Sequence, residues 1–203
     1  MEVAVLGGGH GCYAAAADAA EAGHSVRFWR RNSKAFEPVL VHQALIVTDQ
    51  KGRRTVPLKL ATKDIGEAIN KSELILTPVP AFAQKELATA MAPHLSNGQV
   101  IFLPPGTFGS YVMGQEILKT RTKLDLAFGD AGTLPWLVRK QRDGATRITT
   151  RAQRLPTGIF PARLSEHGIE VISRVFPTVE RRVDALDAAL LNYGPIIHPR
   201  LYL

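Results

Sequence analysis

A chain of 203 residues, 45% hydrophobic and 21% charged, is long enough for one full domain with a sizeable core and the start of a second, and this composition excludes intrinsic disorder. A single cysteine excludes an intrachain disulfide and a paired-cysteine metal site, and no apolar run is long enough to span a membrane. The net charge of +7 suits an anionic partner, but the basic residues are scattered, without a long run or interleaved aromatics, so nucleic acid is set aside in favour of a small anion.

In chain order, "EVAVL" (2–6) reads as a buried parallel strand. The alanine-rich stretch from Gly11 to Ala22 reads as a helix stopped by Gly23, and "SVRFW" (25–29) as a second strand. Residues 44–60 predict a hairpin around the turn Asp49-Gln50-Lys51-Gly52. Asp64–Asn70 suits a short helix, "ELILTPV" (73–79) a buried strand, and Pro80 opens a helix to about Met91. "QVIFL" (99–103) is the next strand, Ser110–Lys119 a helix and "LDLAF" (124–128) a strand. Beyond Gly129, "LPWLVRKQ" and "ATRITTRA" read as short strands around Asp143-Gly144, and Pro161–Gly168 as a helix.

Strands apolar on both faces that alternate with helices predict the α/β class: a doubly wound, mostly parallel Rossmann-type sheet with helices on both faces. That domain is expected over residues 1–180. The segment "VDALDAALLNYGPIIHPRLYL" is amphipathic up to Asn192 and then stays apolar to Leu203. Residues 181–203 are therefore expected to begin an incomplete helical substrate or dimerisation domain. Either more chain or a partner subunit, as in a homodimer, would cover the apolar end. The N-terminus lacks the plan of a secretory signal, so the expected location is the cytoplasm.

The stretch "VLGGGHGC" (5–12) places Gly7-x-Gly9 directly after a strand and at the opening of a helix. The first glycine permits a tight turn, the second lets a pyrophosphate approach the backbone, and the helix N-terminus holds the anion. A purely structural glycine turn is the alternative. Gly7, Gly9, His10, Gly11 and Cys12 are the candidate contacts, with Pro80 at the next strand end and Gly106 and Thr107 after the one beyond. Cys12 stands where the fingerprint has its third glycine or alanine. Its sulfur is expected to add bulk at the helix–strand contact, and its burial to disfavour a reactive thiolate.

The second strand ends in Phe28-Trp29-Arg30-Arg31-Asn32-Ser33 with no carboxylate for the ribose hydroxyls. Arg30, Arg31 and Asn32 instead suit a phosphate on the 2′-oxygen, through guanidinium forks and a short amide, so NADP(H) is favoured over NAD(H). A solvated basic loop is the alternative. Pro104-Pro105-Gly106-Thr107 follows the fourth apparent parallel strand, where it would face the nicotinamide side of the crevice or serve only as a turn.

Four stretches together resemble the opine dehydrogenase (octopine/nopaline dehydrogenase) family: "VLGGGHGCYAAA" (5–16), residues 78–110, "FGDAGTLPWLVRK" (128–140) and "LDAALLNYGPIIHPRLYL" (186–203). The resemblance implies reductive condensation of an amino acid with an α-keto acid, hydride from the nicotinamide reducing the imine. It also implies that His198, in Ile-Ile-His-Pro, is the acid/base. An imidazole titrating near neutrality suits that proton transfer, although His198 read without the motif is a structural histidine. Asn192 becomes the candidate for orienting substrate or nicotinamide, with an interhelical or capping hydrogen bond as the alternative. Gly194 and Asp130 depart from the family, where a second Asn and a Glu are more usual. Without the rest of the second domain, binding is expected but efficient turnover is not. Two other readings remain. One is an alcohol oxidoreductase like glycerol-3-phosphate dehydrogenase or ketopantoate reductase, with Lys140 as its best lysine. The other is a non-catalytic dinucleotide-binding module.

Overall fold

The structure is a computed structural model that describes residues 1–31 and 34–192. The chain begins with β1 (Glu2–Leu6), α1 (His10–Glu21), β2 (Ser25–Trp29) and α2 (Glu37–His42), then a hairpin of β3 (Ala44–Asp49) and β4 (Gly52–Pro57). It continues through β5 (Leu60–Thr62), α3 (Ile65–Ile69), β6 (Leu74–Leu76), α4 (Ala81–Met91), β7 (Val100–Leu103), α5 (Gly109–Leu118) and β8 (Ala127–Ala131). A second hairpin, β9 (Trp136–Lys140) and β10 (Thr146–Arg151), precedes β11 (Leu155–Phe160), α6 (Ser165–Ser173), β12 (Val179–Arg181) and α7 (Ala185–Leu190).

The apolar strands assemble as their composition requires. Val3 to Leu6, Leu74 to Leu76 and Val100 to Leu103 are fully buried, the pattern of strands covered on both faces. They sit in an eight-stranded sheet of order β12-β11-β8-β7-β6-β1-β2-β5. From β5 to β8 every pairing is parallel, with Val3 opposite both Val26 and Leu74. β11 joins antiparallel to β8. Helices cover both faces. Phe128 lies beside Gly114 of α5, while the Cβ position of its neighbour Gly129 faces Ile172 of α6, and successive strand residues point to opposite faces. The expected doubly wound, mostly parallel sheet is therefore present. Among the described residues, no helix is long and apolar enough to cross a membrane.

The two hairpins form a separate sheet of order β4-β3-β10-β9, which lies over the alanine-rich α1. The small side chains let it approach closely, and polar groups fasten it. Trp136 Nε1 donates to Asp18 Oδ2 at 2.7 Å, and Arg151 bridges Asp18 and Asp49 at 2.7 and 2.8 Å. Arg54 binds both Glu21 and Asp49.

Several expected boundaries differ. The hairpin ends at Pro57, and Leu60–Thr62 is a separate strand parallel to β2. The turn at Leu58 and Lys59, whose amides bind Gln43 O and Val26 O, hands the chain back to the main sheet. The strand expected at 124–128 runs instead over Ala127–Ala131, because Gly129 and Asp130 are required by neighbours rather than by strand propensity. The helix expected at 161–168 is a single 3₁₀ turn followed by α6, which extends to Ser173.

Candidate functional site

In an open α/β sheet a crevice forms beyond the strand carboxyl ends where the strand order reverses. Here that point lies between β1 and β6, since the chain proceeds outward to β2 and β5 on one side and to β7 and β8 on the other. A cleft of about 510 Å³ opens there. One wall is Gly7, Gly8 and Gly9 with Trp29, Arg30 and Arg31; the other is Val79, Pro80, Ala83, Glu86, Leu87 and Ala90.

The glycine loop is shaped for a backbone approach. Gly7 has φ 127°, and a Cβ there would lie 2.7 Å from Val79 Cγ1 and 2.8 Å from Cys12 Sγ. The bulk expected at Cys12 is thus accommodated against Gly7. A Cβ at Gly8 would collide with the Arg30 side chain, and one at Gly9 would meet only Pro78 O at 4.0 Å. Gly9 is the N-cap of α1 and no side chain caps it. The helix N-terminus therefore keeps its first amides and its positive end for a ligand. His10 is exposed at that terminus, while Gly11 is held close against Leu134 and Pro78. Cys12 lies behind the loop with Sγ 3.5 Å from Pro78 O, and burial pushes its thiol up to about 12. Cys12 packs, as a neutral thiol.

Arg30 lies across Gly8 and donates to Tyr13 Oη at 3.0 Å. Arg31 reaches over the cleft and pairs with Glu86 of α4. Asn32 lies outside the described residues. The α4 wall follows helical spacing: Ala83, Leu87 and Ala90 share one face with Glu86 beside them. Pro80 is the N-cap of this helix and borders the glycine loop. The sequence reading named Pro80 but missed this face, although a three- and four-residue spacing counted from Pro80 marks it.

A second group of residues lies past the ends of β7 and β8. Gly106 and Thr107 follow β7, and Thr107 and Phe108 both take positive φ, 48° and 66°. Gly106 sits directly over Asp130, with no room for a Cβ. Asp130 Oδ2 accepts from Ser110 N at 3.2 Å and Ser110 Oγ at 2.9 Å. Asp130 is fully buried, and Oδ1 has no hydrogen-bond partner among the described residues. Burial pushes its carboxyl up to about 6, against the opposing pull of Ser110 and the amides of Thr107 and Phe108. Gln84 Nε2 donates to Gly106 O at 3.1 Å, and Asn192 Nδ2 donates to Thr107 Oγ1 at 2.5 Å. Asn192 is thus tied to the loop that also carries Gly106 and Thr107, whereas His198 lies outside the described residues.

A doubly wound sheet, an uncapped glycine-loop helix and a basic cleft at the switch point define a dinucleotide-binding domain of the Rossmann type. The chain belongs to the family whose model is described as NAD-dependent glycerol-3-phosphate dehydrogenase N-terminus, matched over residues 2–106. It is 28% identical to an opine dehydrogenase of Arthrobacter sp. (strain 1C) over 196 residues, 97% of this chain and 55% of that protein. It is also 33% identical to a glycerol-3-phosphate dehydrogenase [NAD(P)+] of Pseudomonas fluorescens (strain Pf0-1), over 96% of this chain and 54% of the relative. A solved octopine dehydrogenase in complex with NADH and agmatine superposes with a TM-score of 0.74 at 22% identity, over 97% of this chain and 52% of that one. The resemblance to opine dehydrogenases read from the sequence therefore stands. The chain spans about half the length of the curated relatives it matches.

Proposed function

We propose that the chain is the dinucleotide-binding part of an NAD(P)-dependent oxidoreductase of the opine dehydrogenase type. In this reading the protein acts on the imine formed from an amino acid and an α-keto acid. The observation that carries the cofactor assignment is the glycine loop itself. Gly7, at positive φ, leaves no room for a side chain between Val79 and Cys12, and Gly9 leaves open space before the uncapped N-terminus of α1. These residues fit a pyrophosphate, and the Ala83–Leu87–Ala90 face fits the flat apolar side of an adenine. When bound, the nicotinamide supplies a hydride.

The chain's own groups do the remaining work. Gly7 to Gly11 and the α1 N-terminus hold the diphosphate, and Arg30 and Arg31 take the ribose end. Preference for NADP(H) over NAD(H) follows from those two guanidinium groups and from a β2 end that bears no carboxylate. Asn192, held by Thr107, orients the nicotinamide or substrate beside the loop after β7. His198, in the matching Ile-Ile-His-Pro motif, takes the acid/base role at the reacting centre.

Oxidation of NADPH in the presence of pyruvate and a panel of amino acids, dependent on both, supports this function. In a full-length relative, the change corresponding to His198→Asn is expected to keep cofactor affinity and lose hydride transfer. The match of residues 2–106 to a glycerol-3-phosphate dehydrogenase N-terminus favours a second reading, an alcohol oxidoreductase. Turnover of a hydroxy phosphate ester without any amine would select it.

A further inference from the structure

The end of β2 lacks the carboxylate that commonly accepts from the ribose hydroxyls of NAD(H), yet the cleft is not without one. Glu86 is the only acidic side chain among the described residues lining the cleft, and it faces Arg31 across the mouth. It arrives from α4, three residues beyond Ala83 and four before Ala90, so it shares the helix face that lines the cleft. Its carboxylate pairs with Arg31, whereas Arg30 is engaged with Tyr13 Oη and lies over Gly8. Arg31 and Glu86 are 71% and 64% exposed, so the pair is weak and exchangeable. Among the described residues, no other hydrogen bond or ion pair holds Glu86.

We infer that Glu86 is the specificity-determining acid of this site. It supplies from α4 the hydroxyl acceptor that β2 lacks, and it opposes a 2′-phosphate. The inference rests on the dinucleotide reading and deepens it. With NAD(H), the Glu86 carboxylate accepts from the ribose diol while Arg31 stays paired. With NADP(H), Arg31 must leave Glu86 to meet the phosphate, and the freed carboxylate then lies beside a dianion. The two arginines and the one glutamate therefore pull in opposite directions, and the site accepts both dinucleotides, with a preference below what two arginines alone would give.

The test uses the chain as it stands and reads dissociation constants rather than turnover, by calorimetry or by quenching of Trp29, which lines the cleft. In Glu86→Gln, binding of NADPH is expected to tighten and binding of NADH to weaken, each about two- to fivefold, the scale of one solvent-exposed charge pair. Arg31→Gln is expected to move both constants the other way, because it leaves Glu86 unopposed. A merely structural Arg31–Glu86 contact would shift both dinucleotides in the same direction in both variants. A NADPH-to-NADH affinity ratio in Glu86→Gln within twofold of the wild type overturns the inference while leaving the dinucleotide reading intact. Failure of the wild-type protein to bind either dinucleotide overturns both.

Discussion

At Gly7, backbone and neighbours act together: φ of 127° lies in the region that side chains avoid, and Val79 and Cys12 occupy the space a Cβ would need. Gly7→Ala is therefore expected to cost about 2–3 kcal/mol in urea unfolding and to abolish dinucleotide binding, because relief of the clash moves the loop. Asp130 carries a different kind of strain. Its folded-state pKa of about 6 stands above the ordinary 3.8, so the native state holds the proton more tightly than the unfolded chain. The stability this contributes is fully present below about pH 4 and is lost as pH rises through about 6. A difference of that size corresponds to roughly 3 kcal/mol. Asp130→Asn keeps an acceptor for Ser110 without the charge. Unfolding measured from pH 4 to pH 8 is expected to fall across that range in the wild type and to stay nearly level in the variant.

Among elements, α1 is the one on which both sheets depend. Its alanines pack on β1 and β2 on one side and under the hairpin sheet on the other, while Asp18 and Glu21 reach Trp136, Arg151 and Arg54. Asp49, with a side chain only 1% exposed, ties β3 to β4 and β10. Its hydrogen bond to Arg54 in particular holds its carboxyl well below the usual carboxylate range. Stability from this group is present above pH 4 and is lost as pH falls through the depressed folded-state value. Asp49→Asn is expected to cost about 2 kcal/mol at pH 7, discounted for the partly exposed arginines, and the cost is expected to shrink towards pH 3. Much at this scale was legible beforehand. β1, β2 and the alanine helix follow directly from apolar runs punctuated by glycine, and so does their order. β5, β11 and β12 were not legible as strands. Leu60–Thr62 is too short to show a period, and the alternation in Leu155–Phe160 is interrupted by a proline and a glycine. Gly158 is there because Asp184 backbone lies against it, a tertiary demand invisible in one sequence.

For the whole molecule, the cleft belongs to no single element. The glycine loop and arginines were readable because they are local in sequence, whereas Ala83, Glu86, Leu87 and Ala90 join them only because α4 crosses the switch point. The same holds past β7, where Asp130, Ser110, Thr107 and Asn192 meet from three separate segments. A ligand that spans the cleft must therefore couple the β1–β2 half to the β6–β7 half, and its binding energy should appear as global stability. On the proposed reading, adenosine 2′,5′-bisphosphate would cover the arginine end of the cleft without a nicotinamide. At a hundred times its dissociation constant it is expected to stabilise the fold by about 2.7 kcal/mol, which for a chain of this size raises the melting temperature by roughly 5–10 °C. At the same concentration, 5′-AMP lacks the 2′-phosphate proposed to meet Arg30 and Arg31 and is expected to give a smaller rise. The gap between the two is expected to narrow with added salt, since exposed guanidinium–phosphate contacts are screened. Equal shifts from the two nucleotides would show that the cleft reads adenine and not the 2′-phosphate, and would place NAD(H) level with NADP(H).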